Sequence, residues 1–293
     1  MERKIKALYG ILIAILSGLL PAEAYCQAKS ITKAEHRFDK LSMPASRETY
    51  EVSVEDAMAP YQVRVNDVPI FSLSVNGPMT FFVNSAITKS GLQTIKLVES
   101  KGGNSKAKLT VKAIRRMEDN TPKKDTLLWS GTREGTFPAK VAYTVEDWSQ
   151  GQDLNNKEMV AAATKWFGDM VALLTARKGQ AFMDTIFEAE QNAFIANYME
   201  KEEANGQFSG WVSYLNKGSF QVLGIAGCKI EVVGNGKLLH VVDGRQNGGI
   251  AIKSENLQTT FFDVFLYAPA GKTTLKPVLI NFKQVRNDFR KSR

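Results

Sequence analysis

Residues 155–205 read NNKEMVAAATKWFGDMVALLTARKGQAFMDTIFEAEQNAFIANYMEKEEAN, and the fold turns on them. They hold the only long helical patterns outside the amino-terminal leader, with strand-like patterns on both sides. In the first half Met159, Val160, Ala163, Trp166, Phe167, Met170, Val171, Leu173 and Leu174 recur at steps of three or four, one side of a helix. Asn155 with Glu158 has the spacing of a capping box. Arg177 and Lys178 suit the negative end of the helix dipole, and Gly179 suits a left-handed terminator. The pattern predicts a second helix over 180–204, with Phe182, Met183, Ile186, Phe187, Ala193, Phe194 and Tyr198 on its apolar side and Gly206 as its stop. At about 25 cal/mol per Å² of buried apolar surface, these stripes must be covered. The pair is therefore expected to lie on a sheet.

Candidate strands stand on either side. Tyr50, Val52 and Val54 alternate with polar residues, as do Tyr61, Val63 and Val65, and as do Leu109, Val111 and Ala113. Residues 79–83 and 93–98 continue the series. Asn66-Asp67, Asn76-Gly77-Pro78 and the loop 101–104 supply turns. Downstream, Val141, Tyr143 and Val145 predict one more strand. Further strands are expected at 211–215, 219–223, 229–233, 237–242, 250–253, 260–267 and 276–282, with Gly234-Asn235-Gly236 as a hairpin turn. The fold class is mixed α and β. An N-terminal antiparallel β-sandwich of immunoglobulin-like kind precedes an α+β domain whose central helix pair lies on an antiparallel sheet. The expected division is signal peptide 1–24, linker 25–46, sandwich 47–116, linker 117–138, α+β domain 139–283 and basic tail 284–293.

The leader sets the expected compartment. Arg3, Lys4 and Lys6 precede an apolar run over 7–20, then Pro21 and Ala22-Glu23-Ala24, the layout of a secretory signal peptide cut after Ala24 or Ala28. The run is short of the roughly 20 residues of a permanent membrane span. Cys26 raises a lipoprotein alternative, weakened because Tyr25 stands where a lipobox has a small residue. Export would also permit a Cys26–Cys228 disulfide, although Cys228 reads more simply as a small buried hydrophobe. The expected localisation is periplasm or cell envelope.

The chain has 293 residues, 44% apolar and 23% charged, which is globular composition. Its net charge of +8 and pI near 9.3 are spread out except at Lys283, Arg286, Arg290, Lys291 and Arg293. That tail reads as solvated, with peripheral contact to anionic lipid of a membrane, or to surface polysaccharide, as the sharper alternative. Export argues against nucleic acid as a partner.

Motifs for chemistry are absent. His36 and His240 are the only histidines, and with two cysteines at unrelated spacings they make no zinc site. No metal-protease, serine-elbow, P-loop or dinucleotide fingerprint occurs; Gly206-Gln207-Phe208-Ser209-Gly210 has the wrong spacing for an elbow. His240 with Asp243 would be two members of a triad, but Asp243-Gly244 reads as a turn and His240 as a strand position. Asp184 and Glu188 share a helix face, and Glu190 falls nearer the apolar stripe, where desolvation would raise its pKa. Two such carboxylates are what a glycosidase needs; exposed helix faces also carry such charges as a matter of course. Trp211, Tyr214 and Tyr267, if exposed together, would form a ledge for a sugar or peptide, with core packing as the plainer reading.

Three stretches resemble a loose family of secreted envelope proteins of Gram-negative bacteria: Tyr61 to Pro69 (YQVRVNDVP) with Asn84 to Gly91, Gly234 to Asp243 (GNGKLLHVVD), and Phe265 to Gly271 (FLYAPAG) with Leu275 and Ile280. The resemblance implies a sandwich followed by an α+β domain and lends no catalytic residue or activity. The expectation is a non-catalytic envelope protein, without cofactor or metal, that binds a protein or glycan partner. An envelope carbohydrate hydrolase working through Glu188 or Glu190 is one alternative, and a periplasmic immunity or inhibitor protein is another.

Overall fold

The computed structural model describes residues 37–39, 41–42, 44, 46–73, 78–99, 106–116, 122–244, 248–255 and 258–286. The leader, Cys26, His36, the loop 101–104, the turn residues Asn76-Gly77 and the tail cations Arg290, Lys291 and Arg293 lie outside the described residues. Among the described residues the fold is mixed α and β, with antiparallel sheets and four α-helices.

The first eight strands are β1 (Arg47–Glu55), β2 (Tyr61–Val65), β3 (Val68–Leu73), β4 (Met79–Phe82), β5 (Gly91–Glu99), β6 (Lys108–Arg116), β7 (Pro122–Gly131) and β8 (Glu134–Ala139). They form two four-stranded sheets, ordered β4-β1-β6-β7 and β3-β2-β5-β8. Alternation does what the sequence dictates. In β5 Gln93, Ile95 and Leu97 are buried while Leu92, Thr94, Lys96 and Val98 are exposed. Val52, Val54 and Val111 of one sheet share a core with Val63, Val65 and Ile95 of the other.

The linker expected over 117–138 is a correction, because β7 and β8 occupy most of it. β7 pairs with β6 and β8 with β5, burying Phe137 completely. Pro122 and the charged start of β7 obscured the strand, and an edge strand tolerates both. The Trp129 indole lies where side chains on Gly131 and Gly135 would stand, so glycine at those positions makes room for it. Residues 141–147 keep the alternation expected of a strand but join no ladder. Their anchor is instead the Tyr143 hydroxyl, 2.9 Å from the Asn84 carbonyl and 2.7 Å from that of Ile87.

The helices are α1 (Lys157–Thr175), α2 (Gly179–Thr185), α3 (Phe187–Ala196) and α4 (Lys201–Lys217). Asn156, one residue past the expected cap, accepts from the Met159 amide at 2.9 Å. The left-handed residue after α1 is Arg177 (φ 56°), whose guanidinium caps the Phe220 carbonyl at 2.6 Å and lies over the Phe220 ring. Gly179 serves close packing: a Cβ there would stand 2.6 Å from that of Leu215.

The single helix expected over 180–204 is corrected to three. It breaks at Ile186 and again around Tyr198 (φ 54°), and α4 runs on through Gly206 and the strand expected at 211–215. Gly206 costs a helix about 1 kcal/mol relative to alanine. Burial of Phe208, Trp211, Tyr214 and Leu215 at helical spacing outweighs that cost. The stop is Gly218, where a Cβ would meet the Tyr214 carbonyl oxygen at 2.6 Å.

The third sheet holds β9 (Phe220–Leu223), β10 (Lys229–Val233), β11 (Leu238–Val242), β12 (Ile250–Ser254), β13 (Gln258–Tyr267) and β14 (Lys276–Arg286). β14 lines one edge of β13, while β12 and β11 share the other end to end, with β9 and β10 outside them. Both faces of this sheet are covered. Leu239, Val241, Phe262, Val264, Leu266 and Ile280 pack under Phe167, Phe182, Phe208 and Trp211 of the helices. On the reverse, Leu238, Phe265, Tyr267, Val278 and Leu279 join the core of the eight strands. Lys283, expected in a solvated tail, sits within β14 and donates to the Ser72 carbonyl at 2.7 Å. Among the described residues no helix is long and apolar enough to cross a membrane.

Candidate functional site

The eight strands and the third sheet meet through two turns that the sequence marks plainly. Asn66 and Asp67 take left-handed conformations between β2 and β3, as do Gly234, Asn235 and Gly236 between β10 and β11. The Asp67 carbonyl accepts from Gly234 N at 3.2 Å, and its carboxylate accepts from Asn235 N at 3.0 Å. Beside this clasp runs a line of charge. His240 on β11 is 1% exposed and stacks on Phe265 with ring centroids 4.7 Å apart. Its Nδ1 lies 3.1 Å from Asp263 Oδ1 on β13, and its Nε2 lies 3.6 Å from Glu231 Oε2 on β10. Glu231 also meets Lys229 Nζ at 3.0 Å and Arg64 of β2 at 3.8 Å, and Arg64 pairs with Asp67. The partners of His240 thus come from neighbouring strands rather than from the Asp243 turn. Only the sheet register, absent from a sequence pattern, brings them together.

Burial opposes charging His240, but the carboxylates of Asp263 and Glu231 outweigh it and hold the pKa above its ordinary 6.5. The imidazole, and then Lys229, draw Glu231 down to about 2 against the cost of burial. A raised histidine stabilises the fold fully below its unfolded pKa, and this contribution is lost as pH rises through the folded value. The depressed Glu231 contributes above its unfolded pKa and is lost as pH falls toward about 2. The imidazole proton signal of His240 is therefore expected to titrate with a midpoint above 6.5 by NMR. Glu231→Gln should lower that midpoint by more than half a unit, roughly; an unmoved midpoint would refute the coupling.

A recess lies nearby, where β3, β4, α3, α4 and β14 converge. Phe81, Phe82, Phe194 and Phe282 wall it, Ala193 and Ile280 floor it, and Ser85, Asn197, Gln207 and Asn281 supply polar edges. Its volume is about 80 Å³. Ser85 Oγ donates to Asn281 Oδ1 at 3.4 Å, while Asn281 Nδ2, itself buried, has no hydrogen-bond partner among the described residues. Asn192 fixes α3 to the sheet by donating to the Val278 carbonyl at 3.0 Å. Sequence reasoning did not single out these residues for a site. Phe81-Phe82 in a four-residue strand was the one visible hint, since one of two successive strand residues must turn from the core.

The residues proposed from sequence fall elsewhere. Trp211 and Tyr214 are buried on the helix side of the third sheet, with ring centroids 6.1 Å apart. Tyr267 is buried on the opposite side, its hydroxyl donating to Glu146. The structure forms no ledge from the three. Asp184 and Glu188 are exposed but lie on different helices, separated by the break at Ile186. Glu190 is fully buried, and desolvation pushes its carboxyl up to about 8. Among the described residues neither of its oxygens has a hydrogen-bond partner, and no cluster of three or more His, Cys, Asp or Glu side chains is placed to hold a metal ion. Cys228 is half-buried against the helical core. No family model, curated protein or solved structure matches this chain.

Proposed function

We propose that this chain is a non-catalytic binding protein of the periplasm or cell envelope that captures a protein partner at the recess walled by Phe81, Phe82, Phe194 and Phe282. The observation that carries the reading is the recess itself, with four aromatic walls and a rim of amides, among them the buried Asn281 Nδ2, which has no hydrogen-bond partner among the described residues. Size selects among ligand classes. At about 80 Å³ the recess suits a single side chain inserted from a partner's surface. This favours a protein over a glycan.

The eight strands are read as an immunoglobulin-like sandwich that serves as scaffold, because β1 with β6 and β2 with β5 form the central pairs of its two sheets. Export rests on the basic, apolar and small-residue order of the leader. A photo-crosslinker at Asn197 should yield one dominant protein adduct in the native periplasm. Ala193→Phe, which fills the recess, should cut that adduct at least about tenfold, with near-UV circular dichroism checking that the fold is kept. Adducts that survive the filling, or turnover of an envelope glycan by the purified chain, would overturn the reading. A single stable partner would make it an inhibitor of that partner; several would make it a general envelope adaptor.

A further inference from the structure

A second site lies on the helices, and the chain's own Arg37-Phe38-Asp39 sits in it. Phe38 is 1% exposed, its ring centroid 5.2 Å from that of Phe187, 5.0 Å from Phe194 and 5.7 Å from Phe208. Asn205 of α4, 94% buried by its 6% exposure, reads the segment twice: its Oδ1 accepts from Phe38 N at 3.1 Å and its Nδ2 donates to Asp39 Oδ1 at 3.3 Å. Arg37 pairs with Asp184 of α2, and its guanidinium lies over the rings of Phe187 and Phe208. Leu41 N closes a turn on the Phe38 carbonyl at 2.9 Å.

Ordinary core packing asks only for an apolar contact from Phe38. Here a cation to its amino side, an acid to its carboxyl side and one backbone N–H each meet a dedicated group, which is how proteins read short peptides. Arg37 and Asp39 are exposed, while Phe38 is the fully buried side chain of the segment, with Leu41 partly buried against the same core. Such short, locally anchored segments open without global unfolding.

We propose that this socket is a peptide-recognition site, occupied in the free protein by Arg37-Phe38-Asp39, and that a partner polypeptide presenting a basic residue, phenylalanine and an acidic residue in succession takes it by displacing them. The site is separate from the recess, although Phe194 walls both.

The probe is a fluorescein-labelled peptide of residues 34–44, AEHRFDKLSMP, titrated against the full exported chain by anisotropy. Wild type should bind it at least about tenfold more weakly than Phe38→Ala, whose socket is vacated. A peptide with alanine for its phenylalanine should not bind, and Asn205→Ala added to Phe38→Ala should weaken binding about tenfold. Near-UV circular dichroism reports whether Phe38→Ala keeps its packing. Loss of that signal would make the segment part of the core and overturn the proposal. So would equal binding by wild type and Phe38→Ala, or a wild-type dimer that exchanges segments between copies. Ala193→Phe fills only the recess, so failure at one site is distinguishable from failure at the other.

Discussion

Glu190→Gln should leave stability unchanged at about pH 4 and raise it by roughly 5 kcal/mol at about pH 9. Glu190 is fully buried and desolvation moves its pKa from 4.5 to about 8. In the unfolded chain it ionises at its ordinary value, whereas in the fold it stays protonated until about 8. Between these values the folded state holds one more proton, so wild-type stability falls as pH rises through the window and levels off above it. Each unit is worth about 1.36 kcal/mol. Glutamine keeps the shape and the neutral state but cannot ionise, so its advantage grows with pH. Urea midpoints at three pH values would show the divergence; parallel curves would refute it. A buried acid with a raised pKa is also what a catalytic site uses. Glu188 stands two residues away on α3, exposed, where side chains do not face one another. The same substitution should therefore leave partner capture as it was.

Asn84→Ala should cost about 3 kcal/mol. Asn84 is fully buried, just before Ser85 of the recess. Its Oδ1 accepts from Tyr50 N at 2.8 Å and its Nδ2 donates to the Glu48 carbonyl at 3.0 Å, so one amide satisfies two backbone groups that β4 does not reach. Alanine strands both in a dry interior, at about 1–3 kcal/mol each. Asn84→Asp should cost nearly as much, since the Glu48 carbonyl would face an acceptor. Capture at the recess should fall as well, because Ser85 follows Asn84 in the same short turn. A denaturant shift worth less than about 1 kcal/mol would show the two groups finding other partners.

The strands were legible because period two survives burial on one face: Arg47–Glu55 and Gly91–Glu99 stand close to where alternation places them, and both hairpin turns are where Asn-Asp and Gly-Asn-Gly put them. What failed was the placing of helix and domain ends by single glycines and prolines. Gly206 looked like a stop and lies inside α4, while Gly179 looked like a terminator and is a packing contact. Pro122 looked like a boundary and opens an edge strand. At Gly206 tertiary burial outweighed a local preference of about 1 kcal/mol, and at Pro122 the edge position left no ladder bond to lose. The position of Glu190 near the apolar stripe, and its consequence for ionisation, was readable from helical period. The recess was not, because Phe81, Phe194 and Asn281 come from segments that only the folded topology brings together. His240 with Asp263 and Glu231 likewise depends on strand register.

The third sheet carries a core on each face, and β13 alternates between two interiors, Phe262 toward the helices and Phe265 toward the eight strands. A chain cut near residue 140 would yield two fragments, each with a bare row of phenylalanine, leucine and valine that invites aggregation. Neither half is portable. A nascent chain must keep its first eight strands from sticking to others until the last strand, β14, has been delivered.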